Sequence, residues 1–349
     1  MRSKEMPAMS AERVRVAVVG LVHDHIWGNL KHFAACEGAQ VIAAADPHRP
    51  LLEQVRSEAG VERTYDDYLE MLDTESPDAA LCYTENSRHA EVVEACAERG
   101  IHVMCEKPMA DRLANAERMA AAARKHGIKL MINYPTTWSP ALQYAKCLID
   151  EGEIGQVCQL RMHCAHAGPK EIGCSEYFYS WLYDAERNGA GALMDYCCYG
   201  ANLCAWILGL PRSVIATRAR LYKDYVTVDD NAFILMEYDR AYGIAEASWT
   251  QIGKQPIGGP TINGSDGTLV VTREGLLMIG RGNEEGEVVQ PPPPPKHWRT
   301  PAEHFVWAIT EDREPDGPNS VAVCRDAQEI LEAGLLASES GQRTPLPLR

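Results

Sequence analysis

Along residues 13–133, short continuous apolar runs alternate with stretches in which apolar side chains recur every three to four positions. Continuous runs are what strands covered on both faces show, and the three-to-four spacing is the buried stripe of a helix. The predicted strands are Arg13–Val19, Val41–Ala45, Ala79–Tyr83, Ile101–Cys105 and Lys129–Asn133, with helices at Trp27–Ala35, Pro50–Ala59, Arg88–Arg99 and Leu113–His126 between them. This alternation predicts an α/β domain built on a mostly parallel, doubly wound sheet.

After Tyr134 the pattern changes. One helix (Ser139–Glu151) is followed by runs with a period of two at Val157–His163, Phe233–Tyr238 and Ala245–Thr250, the signature of antiparallel strands with one face buried. An apolar helix at Ala190–Leu208, too short to cross a bilayer, is expected to pack between the lobes. Gly264-Ser265-Asp266-Gly267 reads as a hairpin turn and Pro291–Pro295 as a stiff surface segment, before helices at Ala302–Ile309 and Ser320–Ser338. The expected division is a tail at 1–12, a first domain at 13–133, and an α+β domain at 134–349 with a large, mostly antiparallel open sheet for substrate binding and oligomerisation. Its exposed sheet face calls for covering, so a homodimer or homotetramer through that sheet is expected.

Composition removes several classes of function. The 34 basic residues against 49 acidic ones leave a net charge of −15, with no basic stretch able to track a phosphate backbone, so nucleic acid is not expected as a partner. The chain opens without an apolar signal segment and no run is long enough for a membrane span, so a cytoplasmic location is expected. Its twelve cysteines are scattered without a C-x-x-C pair and read as reduced core thiols. On so acidic a chain, an anionic ligand needs helix N-termini and single basic side chains.

The first strand ends in Gly20-Leu21-Val22-His23-Asp24-His25. In a Rossmann domain the turn here brings backbone N–H groups to a dinucleotide's pyrophosphate, so Gly20, Leu21, Val22, His23 and His25 are candidate cofactor residues. Only the first glycine of G-x-G-x-x-G is present, and an ordinary strand-to-helix turn is the competing explanation. Asp46, closing the second strand, can accept hydrogen bonds from ribose hydroxyls and repel a 2′-phosphate, which favours NAD. Arg49 can stack on adenine or pair with a phosphate, which leaves NADP open. No metal is expected: His23, Asp24 and His25 are adjacent in a tight turn and should diverge, and His163 and His166 should lie on opposite faces of a strand.

At the end of the fourth strand stands Cys105-Glu106-Lys107-Pro108-Met109-Ala110, preceded in the chain by Thr84-Glu85-Asn86-Ser87-Arg88-His89 at the end of the third. Together with Gly152-Glu153-Ile154-Gly155, Gly191–Asp195, Val228–Ala232, Ser248-Trp249 and Gly264–Leu269, these segments resemble the Gfo/Idh/MocA family of glucose-fructose oxidoreductase and inositol dehydrogenase, from Val14 to Pro347. Glu85 stands where relatives commonly have proline. Asp195-Tyr196-Cys197-Cys198-Tyr199-Gly200-Ala201-Asn202 replaces a frequent Asp-x-Gly-x-His-x-x-Asp and is similar to the branch with a catalytic tyrosine. The resemblance implies an NAD(P)-dependent oxidoreductase acting on a sugar, cyclitol or similar polyol. It makes Lys107 and Tyr199 catalytic and Asn202 substrate-binding, and adds Thr84, Asn86, His89, Glu106 and Lys107 to the cofactor site; Asp195 and Trp181 are further substrate-binding candidates from their own chemistry.

The residues support that chemistry independently. Oxidising an alcohol requires removal of the hydroxyl proton as hydride leaves, and a phenol with a pKa of about 10 needs a neighbouring ammonium to serve near neutrality. Lys107 can supply that charge, with Glu106 orienting it, while Asp195, one turn before Tyr199, can hold a substrate hydroxyl. Trp181, Tyr183, Trp138 and Tyr134 can stack on a sugar or simply fill the core. Two other functions share these features: a glycosidase that retains its nicotinamide and works by transient oxidation and elimination, and a non-catalytic NAD(P)-sensing regulator.

Overall fold

The computed structural model describes residues 13–253 and 259–348, so the tail expected at 1–12 lies outside the described residues. Six parallel strands form the first sheet: β1 (Val14–Val19), β2 (Ala39–Ala45), β3 (Thr64–Tyr65), β4 (Ala79–Cys82), β5 (His102–Glu106) and β6 (Leu130–Asn133), in the order β3-β2-β1-β4-β5-β6. Helices α1 (His25–Ala35), α2 (Arg49–Ala59), α3 (Tyr68–Glu75), α4 (His89–Glu98) and α5 (Leu113–His126) connect them. Val16–Val19 and Ala79–Cys82 are fully enclosed, which is why their pattern is continuously apolar. Strand β3 and helix α3 are additions to the expected elements. The helix starts where the Asp67 carboxylate accepts from the amides of Leu69 and Glu70. The order in which strands are added reverses between β1 and β4, and the crevice outside that switch point is where open α/β sheets bind ligands.

The second lobe begins with α6 (Pro140–Asp150) and β7 (Val157–Ala165). Two short helices follow, α7 (Glu176–Leu182) and α8 (Ala185–Asn188), then a π-helical turn at Leu193–Cys197 running into α9 (Cys198–Leu208). The expected helix at 190–208 is thus widened at its first turns, a distortion that often marks a functional position. Strands β8 (Ser213–Ala219), β9 (Asn231–Glu237), β10 (Tyr242–Ser248), β11 (Thr261–Gly264), β12 (Gly267–Val271), β13 (Leu276–Gly280) and β14 (Asn283–Val289) follow, then α10 (Pro301–Thr310), α11 (Val321–Ser340) and β15 (Thr344–Pro345). The nine-stranded sheet runs β14-β13-β12-β11-β7-β10-β9-β8-β15, antiparallel except for β7 with β10. Helix α9 lies so close to it that a Cβ on Gly200 would fall 2.5 Å from that of Ala245. The other face carries half-exposed side chains such as Phe233 and Leu235.

The last helices return to the first lobe. Gln328 accepts from the amide of Ala110 and Glu332 from that of Leu113, so a cut at 133/134 divides the chain in sequence while α11 braces both lobes. Most described cysteines are enclosed, but Cys147 and Cys158 are exposed, a departure from the expected core thiols that follows from their outward positions on α6 and β7.

Candidate active site

The C-terminal edge of the parallel sheet concentrates buried polar groups. His23, Asp46, Thr84, Asn86, His89, Glu106, Lys107 and Asn133 all lie there with almost no exposure. Gly20 turns the chain off β1 with φ +83°, and a Cβ there would sit 2.6 Å from Thr84 Cγ2 and 2.8 Å from Thr84 N. Glycine is therefore required twice over, by conformation and by the approach of β4. A cavity of about 280 Å³ opens beside it, lined by Gly20, Val22, Asp46, Asp67, Thr84 and Arg88 among others.

That cavity fits the adenosine end of a dinucleotide in position, at the switch point, and in charge. Asp46 accepts from the Leu21 amide at 2.7 Å and from the amide and Nδ1 of His48, so it braces the glycine turn while lining the cavity. Asp66 and Asp67 share the wall, and Arg88 is paired with Glu91. Arg49 does not line this cavity: its side chain is almost wholly in solvent and pairs with Glu53 one helical turn on.

The turn itself is held by the second lobe. Asp24 accepts from the amide and hydroxyl of Ser175 at 2.7 and 2.6 Å, and Phe178 and Trp181 pack against the His23 ring. Burial, followed by the neighbouring charges of His25 and Lys107, drives the His23 pKa well below its ordinary value. His25 reaches Glu106 Oε1 at 2.9 Å, and Asn133 donates to Glu106 Oε2. Glu106 is thus held by His25 and Asn133, with no bond to the lysine it was expected to orient. His23, His25 and Glu106 offer ligand atoms within 4.8 Å of one another, so the expected divergence within the turn holds only for Asp24. The rings of His23 and His25 converge because the chain enters α1 between them.

Lys107 leaves β5 with 2% of its side chain exposed. Its Nζ donates to Asp195 Oδ1 at 2.7 Å and to the Asp195 carbonyl at 3.1 Å, and stands 5.0 Å from the centre of the Tyr199 ring. Burial works against its charge, but Asp195 and then Tyr199 more than compensate, so its pKa is raised well above the usual lysine value. The second oxygen of Asp195 accepts from Trp249 Nε1 at 3.2 Å, and Asp229 holds the amides of Gly191 and Leu193 at the entrance to the widened turn. Asp195 is consequently the lysine's counter-ion, a role that its expected one as a holder of substrate hydroxyl did not include. Removing one member of such a buried pair costs about 3–5 kcal/mol.

Tyr199 faces a second cavity of about 680 Å³, lined by Thr136, His163, His166, Tyr196 and Gln251. Burial raises its pKa well above 10, and the opposing effect of Lys107 is smaller. Lys107 thus pulls the phenol in the expected direction, toward easier ionisation, but burial is the larger effect. His163 and His166 line the same cavity because β7 ends at Ala165 and the chain turns between them.

Several expected site residues face elsewhere. Asn202 donates to the Pro318 carbonyl at 2.8 Å and is sealed between α9 and the start of α11. Trp181 lies under the glycine turn, away from the Tyr199 cavity. Asn86 bonds the Asn188 side chain at 2.8 Å and clasps the lobes together. His89 is buried against the Met109 carbonyl, outside the cofactor cavity. Trp138 donates to Asn133, and Tyr134 packs edge-on against Tyr199. The residues that sequence reasoning missed include Trp249 and Asp229, whose signal lay in the Ser-Trp and Val-Asp-Asp segments, and Ser175, Asn188 and Gln251, which had none.

With this geometry in place, the comparisons are consistent. Residues 14–134 match the oxidoreductase family with an NAD-binding Rossmann fold, GFO/IDH/MocA, and residues 142–270 match its C-terminal domain. A D-xylose 1-dehydrogenase [NADP(+)] of Haloarcula marismortui is 31% identical over 188 residues, 53% of this chain and 51% of that enzyme, so the match spans about half the relative's length. A scyllo-inositol 2-dehydrogenase (NADP(+)) of Bacillus subtilis is 25% identical over 91% of this chain and 95% of its own. The structure of a levoglucosan dehydrogenase in complex with NADH and levoglucosan superposes with a TM-score of 0.80 over 97% of this chain and 100% of that one, at 22% identity, which establishes the shared fold. Among the described residues no helix is long and apolar enough to cross a membrane.

Proposed function

Because this chain belongs to the GFO/IDH/MocA oxidoreductase family and carries its NAD-binding Rossmann domain, we propose that it interconverts a hydroxyl and a carbonyl on a sugar, cyclitol or related polyol. The observation that carries the reading is the placement of Lys107 Nζ 5.0 Å from the Tyr199 ring, where β5 of one lobe meets α9 of the other. When bound, a nicotinamide dinucleotide supplies the hydride acceptor or donor. The chain's own groups manage the proton. In the reducing direction the neutral Tyr199 hydroxyl donates to the oxygen that gains charge, and the Lys107 ammonium stabilises that oxygen and the resulting phenolate. Asp195 and Trp249 keep the ammonium fixed, so its orientation costs nothing at the moment of reaction.

Gly20, Leu21, Val22, Asp46 and Thr84 would hold the dinucleotide at the switch point. The acidic wall of Asp46, Asp66 and Asp67, with Arg49 turned to solvent, supports NAD over NADP, although both named relatives use NADP(+). A second copy of the chain against the open face of the nine-stranded sheet completes the reading, and sedimentation would give the stoichiometry. The decisive assay adds NAD or NADP with a panel of aldoses and cyclitols and follows nicotinamide absorbance. Turnover with NAD exceeding that with NADP by about tenfold or more is expected, since the carboxylate of Asp46 repels a 2′-phosphate. Tight dinucleotide binding without turnover across the panel would instead indicate a sensor.

A further inference from the structure

A second group of polar side chains lies just inside the β4 and β5 strand ends, and hydride transfer gives it no task. Cys82 and Cys105 are register partners on those two strands, His89 opens α4, and all three are enclosed. Their ligand atoms lie within 4.8 Å of one another. The Met109 carbonyl can only accept, so its 3.2 Å contact with His89 Nδ1 puts the ring proton on Nδ1. Nε2 then carries a lone pair, is buried, and has no hydrogen-bond partner. An imidazole pinned through Nδ1 to a carbonyl, with Nε2 unpartnered and two thiols within 4.8 Å of a ring nitrogen, has the composition of a histidine ligand with its supporting shell.

We infer that Cys82, His89 and Cys105 form a buried binding site for a divalent metal ion of the zinc class, beneath the floor of the cofactor crevice. Three atoms within 4.8 Å of each other all lie within about 2.8 Å of a common point, against Zn–S of about 2.3 Å and Zn–N of about 2.0 Å, so each ligand closes in by well under 1 Å. Thr84 Oγ1, 3.6 Å from Cys82 Sγ, stands at the spacing of about 3.6 Å that neighbouring sulfur and oxygen ligands have around tetrahedral zinc.

Charge selects the ion. Two thiolates and a neutral imidazole cancel a divalent cation, so no net charge is left in the core, whereas a monovalent copper would leave one negative charge there. Sulfur donors also discriminate against magnesium and calcium. Binding would release both thiol protons, and the enclosed position means the ion is acquired as the chain folds. It would fasten β4, β5 and α4 together directly behind Thr84 and Lys107. The inference is independent of the polyol reading.

The test uses the full chain, expressed and refolded with zinc sulfate, then washed with a chelator and measured for bound zinc by mass spectrometry. About one equivalent is expected in the wild type and in Cys147→Ser, whose cysteine is exposed, with loss of at least about ninety per cent in Cys82→Val, an apolar replacement of similar size. Cobalt(II) in place of zinc should give the wild type a thiolate charge-transfer band that Cys82→Val lacks. X-ray absorption on the wild-type zinc protein needs no variant to fold, and should show two sulfurs at about 2.3 Å. A wild type that retains no zinc, retention unchanged in folded Cys82→Val, or a coordination shell free of sulfur would each overturn the site.

Discussion

The two edges of the parallel sheet are built from the same six strands and could hardly be more different in how they treat charge. At the N-terminal edge a cleft of about 1210 Å³ is lined by Arg13, Arg15, Asp73, Asp78 and Arg99. Arg15 donates to the carbonyls of Ser76 and Glu75, and Arg99 is bridged to Asp73 with much of the pair in water. At the C-terminal edge the cavities are smaller, and Lys107, Glu106 and Asp46 are enclosed. Volume alone would choose the N-terminal edge. Screened surface pairs are worth about 0–1 kcal/mol and shape little, whereas ionised groups held out of water persist only where neighbours over-determine them. The edge that spends stability on buried charge is the one equipped for chemistry.

The largest effect should come from exchanging a lysine on one edge and an arginine on the other. Lys107→Met removes the charge that stabilises the developing oxyanion and leaves Asp195 uncompensated, so kcat should fall about 10³-fold or more. Arg99→Ala, which opens its bridge to Asp73 and a bond to the Ala95 carbonyl, should stay within about twofold of wild type. Equal losses in steady-state assays would erase the distinction between the edges. A folded Lys107→Met enzyme with wild-type turnover would end the proton-transfer reading.

A glycine pair gives a smaller contrast. Gly20 and Gly60 both have positive φ, +83° and +67°, but a Cβ on Gly60 meets nothing within 4 Å whereas one on Gly20 strikes the backbone of Thr84. Gly60→Ala should cost about 1 kcal/mol of stability and leave dinucleotide affinity intact. Gly20→Ala should cost about 2–3 kcal/mol and weaken affinity by about tenfold or more, because the turn must shift away from β4. Denaturant titration and fluorescence titration with NADH separate the two quantities.

Which parts of this contrast the sequence could reveal follows from how each was encoded. Strand segments enclosed on both faces, such as Val16–Val19 and Ala79–Cys82, write their burial as unbroken apolar runs. Strand β14, Asn283-Glu284-Glu285-Gly286-Glu287-Val288-Val289, writes nothing of the kind, since it is an edge strand held by pairing with β13 and mostly in solvent. The meeting of Lys107 and Tyr199 was legible through the family resemblance of the Glu106-Lys107-Pro108 and Asp195–Asn202 segments, with the strand end alone pointing to Lys107. The partners of Asp195, Asn202, Asn86 and His89 were not, because position along an element does not say which of several packed surfaces a polar group will meet. Asn202 lies three residues after Tyr199, about 4.5 Å further along α9, which is enough to carry it out of the cavity and under Pro318.

The smallest contrast is between two histidines. His23 at the C-terminal edge is fully enclosed and its pKa lies well below 6.5, through burial and then the charges of His25 and Lys107; His102 at the opposite edge is half buried, and burial and then Lys129 lower it less. A lowered histidine is neutral in the native state while its unfolded counterpart takes up a proton near pH 6.5. Its stabilising contribution is therefore complete above that pH and is lost as pH falls toward the folded value. Each proton taken up on unfolding steepens the loss by at most about 1.4 kcal/mol per pH unit. Urea midpoints at about pH 7.5 and about pH 5.5 should thus diverge less in His23→Asn than in the wild type, with His102→Asn in between because its half-exposed ring is partly solvated in both states. If His102→Asn flattened the profile more than His23→Asn, the acid sensitivity of the fold would reside at the solvated edge, and desolvation would no longer distinguish the working end of the sheet.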